Sequence, residues 1–149
     1  MLKINFACHG NICRSPMAEF VMKDMVKKKG AQDMFEIASA ATSTEELGNP
    51  VYPPASRKLR EKGLDCSGKT SRQMTADDYG YYDLIVAMDR YNLRNMARFV
   101  GNDPERKVSL LMDYTPTPRD VADPWYTGDF EQTWEDVNMG CEGLLKRLL

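Results

Sequence analysis

Two residues near the N-terminus have the types and spacing of a nucleophile and an anion clamp. Five residues separate Cys8 from Arg14, and Ser15 follows the arginine directly. The apolar run Leu2–Ala7 predicts a strand before the cysteine, and Ser15-Pro16 is typical of the first turn of a helix. A loop this short can turn successive backbone N–H groups inward, and the positive end of the helix dipole reinforces such an anion nest. We therefore predict a site for a tetrahedral oxyanion.

The residue types inside this loop indicate what could happen to a bound anion. Arg14 offers a planar fork of donors for two oxygens, and the positive field favours the thiolate form of Cys8. A thiolate beneath a phosphoryl group can displace the leaving oxygen in line and form a cysteinyl phosphate. Gly10 allows backbone angles that other residues resist, and Asn11 tolerates the left-handed conformation. A chain of this composition is expected to contain, by chance, only about 0.03 occurrences of a cysteine followed after five residues by an arginine and then a serine or threonine.

A proton donor for the leaving oxygen has to come from a carboxylate or a tyrosine, because the chain has a single histidine. Neighbouring side chains tend to point apart, so we expect His9 to form a wall of the pocket mouth. The aspartates near the C-terminal end are Asp113, Asp120, Asp123 and Asp129. Asp123 is favoured because Pro124 disfavours a helix at this position. Trp125 and Tyr126 follow, and they could flank a flat aromatic leaving group.

Apolar runs and helical periodicity predict the elements that position these residues. Candidate strands are residues 2–7, 35–40, 84–88 and 108–112, and the third is typical of a strand covered on both faces. Helices are predicted from Ser15-Pro16 to Lys29, over Pro54–Lys62, from Thr75 for a short stretch, and from Asp89 to Phe99. Alternating strands and helices predict an α/β sandwich with a parallel sheet. Ligands of such sheets bind beyond the carboxyl ends of the strands, where Cys8 lies.

The C-terminal segment predicts the clearest helix. Its apolar residues recur at spacings of three and four on one face, and they are Phe130, Trp134, Val137, Cys141, Leu144 and Leu148. Gly140 and Gly143 each weaken a helix by ~1 kcal/mol. Packing must therefore hold this helix in place.

Length and composition limit the class of protein. A chain of 149 residues favours one domain, and 42% hydrophobic with 28% charged residues is typical of a globular protein. A net charge of −2 argues against general nucleic-acid binding, and no stretch resembles a signal peptide or a membrane span. We expect a cytoplasmic protein with four free thiols. The single histidine and the cysteine spacing fit no metal site, so no cofactor is expected.

These motifs resemble those of the low-molecular-weight protein tyrosine phosphatases. The resemblance covers nearly the whole chain in family order, through Cys8–Pro16, Ser39–Ser43, Ala87–Asp89 with Asn92-Leu93, and Asp123–Tyr126. It implies one phosphatase domain over residues 1–149, a three-layer α/β sandwich with a four-stranded parallel sheet and helices on both faces. It also implies metal-free hydrolysis of phosphotyrosine in protein substrates, by an enzyme that we expect to be a monomer.

The resemblance implies a role for each site residue. Three residues would carry the chemistry, Cys8 as nucleophile, Arg14 as phosphate clamp, and Asp123 as general acid and then as the base that activates water. The residues implied to surround the substrate are His9, Gly10, Asn11, Ile12, Cys13, Ser15, Trp125 and Tyr126. Within that set, Ser15 would donate to the sulfur, and Asn11 would hold the loop in shape together with Ser39.

The chain departs from the family pattern at two positions. A histidine that commonly braces the loop asparagine corresponds here to about Lys69, shortly before Arg72-Gln73. Glu45 lies in a loop where family members often carry a bulky or aromatic residue, and this difference could alter which phosphopeptides fit.

Three other functions share features with this sequence. Thioredoxin-coupled arsenate reductases use resolving cysteines in the middle of the chain, and none lies between Cys66 and Cys141 here. Protein arginine phosphatases carry threonine where this chain has Ile12, and a bulky apolar group suits a phenyl ring better than a guanidinium. A phosphotyrosine-binding module that has lost its chemistry should lack Cys8 or Asp123, yet both are present.

Cys13 suggests a redox role, because two thiols across a tightly curled loop could come within disulfide reach. Oxidation of Cys8 and Cys13 to a disulfide would switch activity off and protect the nucleophile from over-oxidation. The alternative is that Cys13 is a small packing residue, which is also the role we expect for Cys66 and Cys141.

Overall fold

Four parallel strands form the centre of the computed structural model, which describes all residues from 1 to 149. The strands are β1 (Leu2–Cys8), β2 (Phe35–Ala41), β3 (Leu84–Ala87) and β4 (Val108–Leu110), and their order across the sheet is β2-β1-β3-β4. Cys8 is paired with Ala41 in the register of β1 and β2, so the carboxyl ends of these two strands meet at one edge. The predicted parallel sheet is confirmed.

The chain has six α-helices, and five of them cover the two faces of the sheet. They are α1 (Arg14–Lys28), α2 (Pro53–Glu61), α3 (Ala76–Tyr81), α4 (Arg90–Val100), α5 (Pro124–Thr127) and α6 (Phe130–Leu148). Helices α1, α2 and α6 pack together on one face, whereas α3 and α4 pack together on the other. The result is the predicted three-layer sandwich.

The core has two unequal parts, one on each side of the sheet. The part beneath α1 and α6 contains 26 buried residues, including Ile4 and Phe6 of β1. The part beneath α4 contains 8, among them Ala7 and Met96. Alternate residues of β1 point to opposite faces, so this one strand contributes to both parts.

The ends of the third and fourth strands differ from the sequence-based expectation. β3 ends at Ala87 and β4 at Leu110, whereas apolar runs predicted strands to Met88 and Met112. Residues Leu111–Tyr114 form a 3-10 turn instead, and Leu111 and Met112 are fully buried in the larger core. The apolar run continues because these side chains pack inward, not because the strand continues.

The two glycines of α6 lie where the helix touches the turn after β4. A Cβ at Gly143 would come within 1.9 Å of the Tyr114 carbonyl oxygen, and one at Gly140 within 2.4 Å of Leu111 Cγ. The close approach explains why a helix otherwise suited to larger residues has glycine at both positions. At 19 residues α6 is the longest helix. None of the helices combines the length and the apolar character of a membrane span.

Candidate active site

The loop between β1 and α1 forms the floor of a small pocket at the carboxyl edge of the sheet. Cys8 is the last residue of β1 and Arg14 the first of α1, so the loop curls over a helix N-terminus. The pocket has a volume of about 120 Å³ and is lined by Cys8, His9, Gly10, Ile12, Cys13, Arg14, Glu45, Glu46, Asp123, Trp125 and Tyr126. A larger open groove of about 1070 Å³ between the C-terminal ends of α1 and α6 contains no cysteine, arginine or aspartate. The chemistry therefore belongs to the smaller pocket.

The sulfur of Cys8 has a hydroxyl partner beneath the loop. Ser15 Oγ lies 3.0 Å from Cys8 Sγ, and both residues are buried. Asn11 Nδ2 donates to the same hydroxyl oxygen at 2.8 Å. Because an amide nitrogen only donates, the hydroxyl proton of Ser15 is free to point at the sulfur. A donor in that position stabilises negative charge on Cys8.

Asn11 holds the loop from below rather than lining the pocket. Its φ of 57° is in the left-handed region, as the sequence predicted. Nδ2 also donates to Ser39 Oγ at 2.9 Å, and Oδ1 accepts from the backbone N–H of Arg72 at 3.3 Å. Asn11, Ser15 and Ser39 are each no more than 1% exposed, so their side chains lie beneath the loop and away from a substrate.

Gly10 does not use the conformational freedom expected of it. The φ angle of Gly10 is not positive, whereas six other glycines of the chain have a positive φ. A Cβ at Gly10 would instead come 3.3 Å from Glu46 Cγ. The backbone carbonyl of Gly10 accepts a hydrogen bond from Ser71 Oγ at 2.8 Å. The backbone angles therefore do not require glycine at this position, and the only close neighbour of an added Cβ from another loop is the flexible side chain of Glu46.

A buried acid–base pair supports the loop one layer further down. Ser39 Oγ donates to Glu19 Oε1 at 2.5 Å, and Lys69 Nζ donates to the Ser39 carbonyl oxygen at 2.9 Å. Lys69 Nζ also lies 3.4 Å from Glu19 Oε1. Burial lowers the pKa of Lys69, although the charge of Glu19 acts in the opposite direction. Lys69, which replaces the histidine expected from the family pattern, therefore binds Ser39 and not Asn11. It supports Asn11 only indirectly, because Ser39 is the residue that Asn11 contacts.

Arg14 is a buried cation fixed by groups on two other loops. Nη1 donates to Asp89 Oδ2 at 2.6 Å and to the Val121 carbonyl oxygen at 2.8 Å, and the residue is 2% exposed. Burial alone would lower the pKa of Arg14, but the negative charges of Cys8, Asp123 and Asp89 raise it on balance. The guanidinium is thus oriented before any anion enters.

Asp89 is a site residue to which the sequence analysis gave no role. Its Oδ1 accepts from the Asn92 backbone N–H at 2.7 Å and caps α4, while Oδ2 binds Arg14. Asn92 Oδ1 accepts in return from the backbone N–H groups of Met88 and Asp89, each at 3.1 Å. An aspartate directly after a buried strand, at the same edge as Cys8, was the signal that could have identified it.

Asp123 faces Arg14 across the pocket. It caps the short helix α5, which the sequence did not predict, by accepting from the Trp125 N–H through Oδ1 at 3.0 Å. The other oxygen, Oδ2, lies 3.4 Å from Arg14 Nη2. The Asp123 carboxyl group is therefore held at the pocket, with one oxygen directed toward the Arg14 guanidinium.

The rim of the pocket combines aromatic and acidic side chains. Trp125 and Tyr126 are 53% and 84% exposed. The Trp125 ring packs against Tyr52, which the sequence analysis missed, at 4.8 Å between centroids. On another side, His9 Nε2 lies 2.9 Å from Glu45 Oε2.

The second cysteine of the loop also lines the pocket. Cys13 is 5% exposed. Burial is the main cause that raises the pKa of its thiol, and the charges of Cys8 and Asp123 act in the same direction. Cys13 therefore stays protonated at neutral pH.

Comparisons with known proteins agree with this geometry. The model of the family described as low molecular weight phosphotyrosine protein phosphatase matches residues 3–149. The low molecular weight protein-tyrosine-phosphatase YfkJ of Bacillus subtilis is 36% identical over 147 residues, which are 97% of this chain and 94% of the relative. The low molecular weight phosphotyrosine protein phosphatase of Gallus gallus is also 36% identical over 147 residues, with 95% of this chain and 92% of the relative covered.

Solved structures superpose on nearly the whole chain. The crystal structure of Bacillus subtilis YfkJ superposes with a TM-score of 0.96 at 35% identity, covering 99% of this chain and 94% of that one. The crystal structure of a Drosophila arginine phosphatase, DARP, superposes with a TM-score of 0.87 at 29% identity, covering 99% and 98%.

Proposed function

Because the chain belongs to the low molecular weight phosphotyrosine protein phosphatase family, we propose that residues 1–149 form one phosphatase domain that hydrolyses phosphotyrosine in proteins through a cysteinyl phosphate. The observation that carries this mechanism is the placement of Cys8, Arg14 and Asp123 around one pocket of about 120 Å³. Family membership makes the chain a protein-tyrosine phosphatase, which is a phosphoric monoester hydrolase. The residue roles below are our proposal.

In the first step the thiolate of Cys8 attacks phosphorus. The S–P bond forms as the P–O bond to the tyrosyl oxygen breaks. The tyrosyl oxygen keeps the electron pair of the broken bond and receives a proton from Asp123. The inward N–H groups of the loop and Arg14 neutralise the charge on the three remaining oxygens. Arg14 Nη1 is already bound to Asp89 and Val121, so Nε and Nη2, the latter 3.4 Å from Asp123 Oδ2, are the donors that remain for two oxygens of the phosphoryl group.

In the second step water attacks the cysteinyl phosphate. Asp123, now ionised, accepts a proton from the water, and the S–P bond breaks to return the Cys8 thiolate and inorganic phosphate. The hydrogen bond from Ser15, with its oxygen 3.0 Å from the sulfur, stabilises this thiolate as a leaving group. The positive charge that the reaction needs comes from Arg14 and the backbone amides.

The rim favours an aromatic phosphomonoester. Ile12 lines the pocket and is 8% exposed, so it presents an apolar surface to a phenyl ring. The exposed rings of Trp125 and Tyr126 extend that surface. Glu45 and Glu46 also line the pocket, and the likeness to an arginine phosphatase makes phosphoarginine the second candidate, because these carboxylates could pair with a guanidinium.

Matched peptides decide between the two substrates. We expect a higher kcat/KM on a phosphotyrosine peptide than on the same peptide with phosphoarginine in its place. An Ile12→Thr variant should narrow the difference, whereas Ile37→Val, a conservative change in the core under α1, should leave it unchanged. Faster release of phosphate from the phosphoarginine peptide would replace the tyrosine assignment with the arginine one.

We also propose that Cys13 protects Cys8 from irreversible oxidation. Peroxide converts the Cys8 thiolate to a sulfenic acid, the Cys13 thiol attacks its sulfur, and water leaves as the disulfide forms. Because burial raises the pKa of Cys13, little thiolate is present and the second step should be slow. Peroxide followed by dithiothreitol should restore the wild type but not Cys13→Ala, and equal recovery would refute this role.

A cytoplasmic location is part of the proposal. All four cysteines are free thiols, which is the state that a reducing compartment maintains. Fractionation of cells that produce the protein at its natural level would test this location, and recovery in an extracellular fraction would contradict it.

A further inference from the structure

A second groove opens beside the active-site pocket, on the side of α4. Its volume is about 400 Å³, and it is lined by His9, Thr42, Ser43, Arg94, Asn95 and Arg98. His9 also lines the pocket that contains Cys8, so the groove and the pocket share a wall. A peptide whose phosphorylated side chain enters the pocket can therefore lay a neighbouring residue over the groove.

Both walls of the groove are fixed to the phosphate-binding loop. On one side, the backbone N–H groups of Thr42 and Ser43 donate to the carbonyl oxygens of Cys8 and His9, at 2.9 Å and 3.1 Å. On the other side, α4 is capped by Asp89, the residue that binds the guanidinium of Arg14. Arg98 joins the two walls by donating to the Thr42 carbonyl oxygen. The groove thus keeps a constant position relative to the phosphate.

The two arginines that line the groove form no ion pair. The ion pairs formed by arginines in this chain involve Arg14, Arg72, Arg90 and Arg119. Arg94 and Arg98 are exposed and pair with no carboxylate, and none of the residues lining the groove is acidic. They are four positions apart on α4, which places them on the same face. In a chain with a net charge of −2, this is a local positive field beside an acidic rim.

A buried hydroxyl in the same wall has no partner. Thr42 is 1% exposed, and its Oγ1 forms no hydrogen bond. Buried polar atoms are satisfied in the great majority of cases, and an exception calls for a ligand or an ordered water. This hydroxyl is enclosed in the wall of the groove, whereas Arg94 and Arg98, which form no ion pair, line the groove itself and suit an acceptor-rich group.

We propose that this groove is a specificity subsite for an acidic side chain that lies close to the phosphotyrosine of a protein substrate. The proposal rests on the phosphatase function given above and names the substrate class within it. A carboxylate fits because Arg94 presents unpaired donors and Arg98 retains donors beyond the one used on Thr42. The carboxylates of Glu45 and Glu46 at the pocket repel an acidic residue on that side, so the preference should depend on which side of the phosphotyrosine carries the acid.

Three matched peptides test this subsite. Each has phosphotyrosine at its centre, and the flanking residues are alanine throughout, glutamate on the N-terminal side only, or glutamate on the C-terminal side only. We expect wild-type kcat/KM to be ~1.5–5-fold higher for one of the two acidic peptides than for the alanine peptide, the size expected for an exposed charge pair. High salt should reduce this preference, because exposed charges are screened.

Arg94→Gln is the informative variant, since Arg98 also holds the Thr42 carbonyl and its removal could disturb the loop. Arg94→Gln should lose most of the preference for the acidic peptide. Arg147→Gln is the matched control, because Arg147 is exposed near Tyr114 at the end of α6, on the opposite face of the sheet. It removes the same net charge and should keep the preference.

The outcomes separate this subsite from the proposed function. Hydrolysis of all three peptides at equal kcat/KM would refute the subsite and leave the phosphatase function standing. An equal loss of preference in both arginine variants would also refute it, because a general field and not the groove would then be responsible. Failure to hydrolyse any of the three would refute the phosphotyrosine function and the subsite with it.

Discussion

The region beneath the phosphate-binding loop and the rim above it are built in opposite ways. Beneath the loop, Asn11, Ser15 and Ser39 are at most 1% exposed and hydrogen-bond to one another. At the rim, Trp125 and Tyr126 are 53% and 84% exposed, and neither side chain forms a hydrogen bond. The first region has one arrangement that satisfies its polar groups, whereas the second leaves its large side chains in solvent.

This difference separates the two tasks of the enzyme. Stabilising a thiolate and a phosphoryl group requires dipoles that are already oriented, and a buried, fully bonded network provides them. Accepting different phosphoproteins requires contacts that add affinity without fixing one partner. We therefore expect changes beneath the loop to lower kcat and changes at the rim to raise KM.

In the proposed mechanism Asp123 is the residue of the rim that takes part in the chemistry, and its removal should have the largest of the effects compared here. Asp123→Asn should lower kcat by ~10²–10⁴-fold on phosphotyrosine, the usual contribution of a general acid–base group. The loss of kcat/KM should be smaller on p-nitrophenyl phosphate than on phosphotyrosine, because its leaving group needs less protonation. Steady-state kinetics on both substrates measure this.

Asp120→Asn is the control for that variant. Asp120 is a neighbouring aspartate that pairs with Arg90 on the surface at 3.5 Å, and its substitution should change neither substrate's kinetics. Equal losses of kcat/KM on the two substrates in Asp123→Asn would remove the proposed role as acid, because kcat/KM reports the step in which the leaving group departs and not the later hydrolysis of the cysteinyl phosphate.

Ser15→Ala tests the region beneath the loop directly. It removes the hydroxyl 3.0 Å from the sulfur, and a hydrogen bond to a charged group is worth about 1.5–3 kcal/mol, or ~10–100-fold in kcat. Ser67→Ala, which changes a surface serine bound to Asp65, should keep the wild-type kcat, and a Ser15→Ala enzyme that behaved like it would contradict the account.

Lys69→Met should have a smaller effect, because Lys69 acts on the loop only through Ser39. We expect kcat to fall by ~2–10-fold, the range for one or two indirect hydrogen bonds, with little change in KM. Lys28→Met is the control, since it removes an exposed lysine paired with Asp24. A rise in KM with unchanged kcat would place Lys69 with the rim and break the distinction between the regions.

Lys69 should also affect how the free energy of unfolding depends on pH. Burial lowers the pKa of Lys69 from its ordinary value of 10.5, so the folded protein releases this proton at a lower pH than the unfolded chain. Between those two pKa values the unfolded state binds more protons, and the free energy of unfolding contributed by Lys69 rises with pH. Urea titrations over the alkaline range should show this rise in the wild type and less of it in Lys69→Met.

Tyr126→Ala should have the smallest effect and the one most typical of the rim. The exposed ring can cover only part of a substrate, so we expect KM for a phosphotyrosine peptide to rise ~2–5-fold with kcat unchanged, as loss of a small apolar contact implies. Tyr81→Ala removes another exposed tyrosine, near Lys3 at the amino end of the sheet, and should leave KM unchanged. A fall in kcat in Tyr126→Ala would contradict the division of tasks.

The fold could be read from the sequence to a large extent because its signals are local. The apolar run at β3 and the spacing of apolar residues in α6 depend only on neighbouring positions. The end of β4 was wrong because burial, not strand pairing, accounts for Leu111 and Met112. The four residues of α5 are too few to show a helical period.

The residues of the candidate site also fall into those that a local sequence pattern predicted and those that only the fold brings together. The loop from Cys8 to Ser15 is contiguous in sequence, so its spacing alone predicted an anion site. Its supports are distant, since Asp89 lies 75 positions from Arg14 and Lys69 lies 30 positions from Ser39. No local pattern relates such residues, and only the order of the strands brings them to one edge.

Trapping of the covalent intermediate tests the central claim most directly. Asp123→Ala should still form the cysteinyl phosphate from radiolabelled p-nitrophenyl phosphate, because that leaving group departs without an acid, but should hydrolyse it slowly for lack of a base. Rapid quenching in denaturant and peptide mapping should then find labelled phosphate on Cys8, and none in the Cys8→Ser form of the same variant. Turnover without a covalent phosphoenzyme, or label on another residue, would contradict the mechanism.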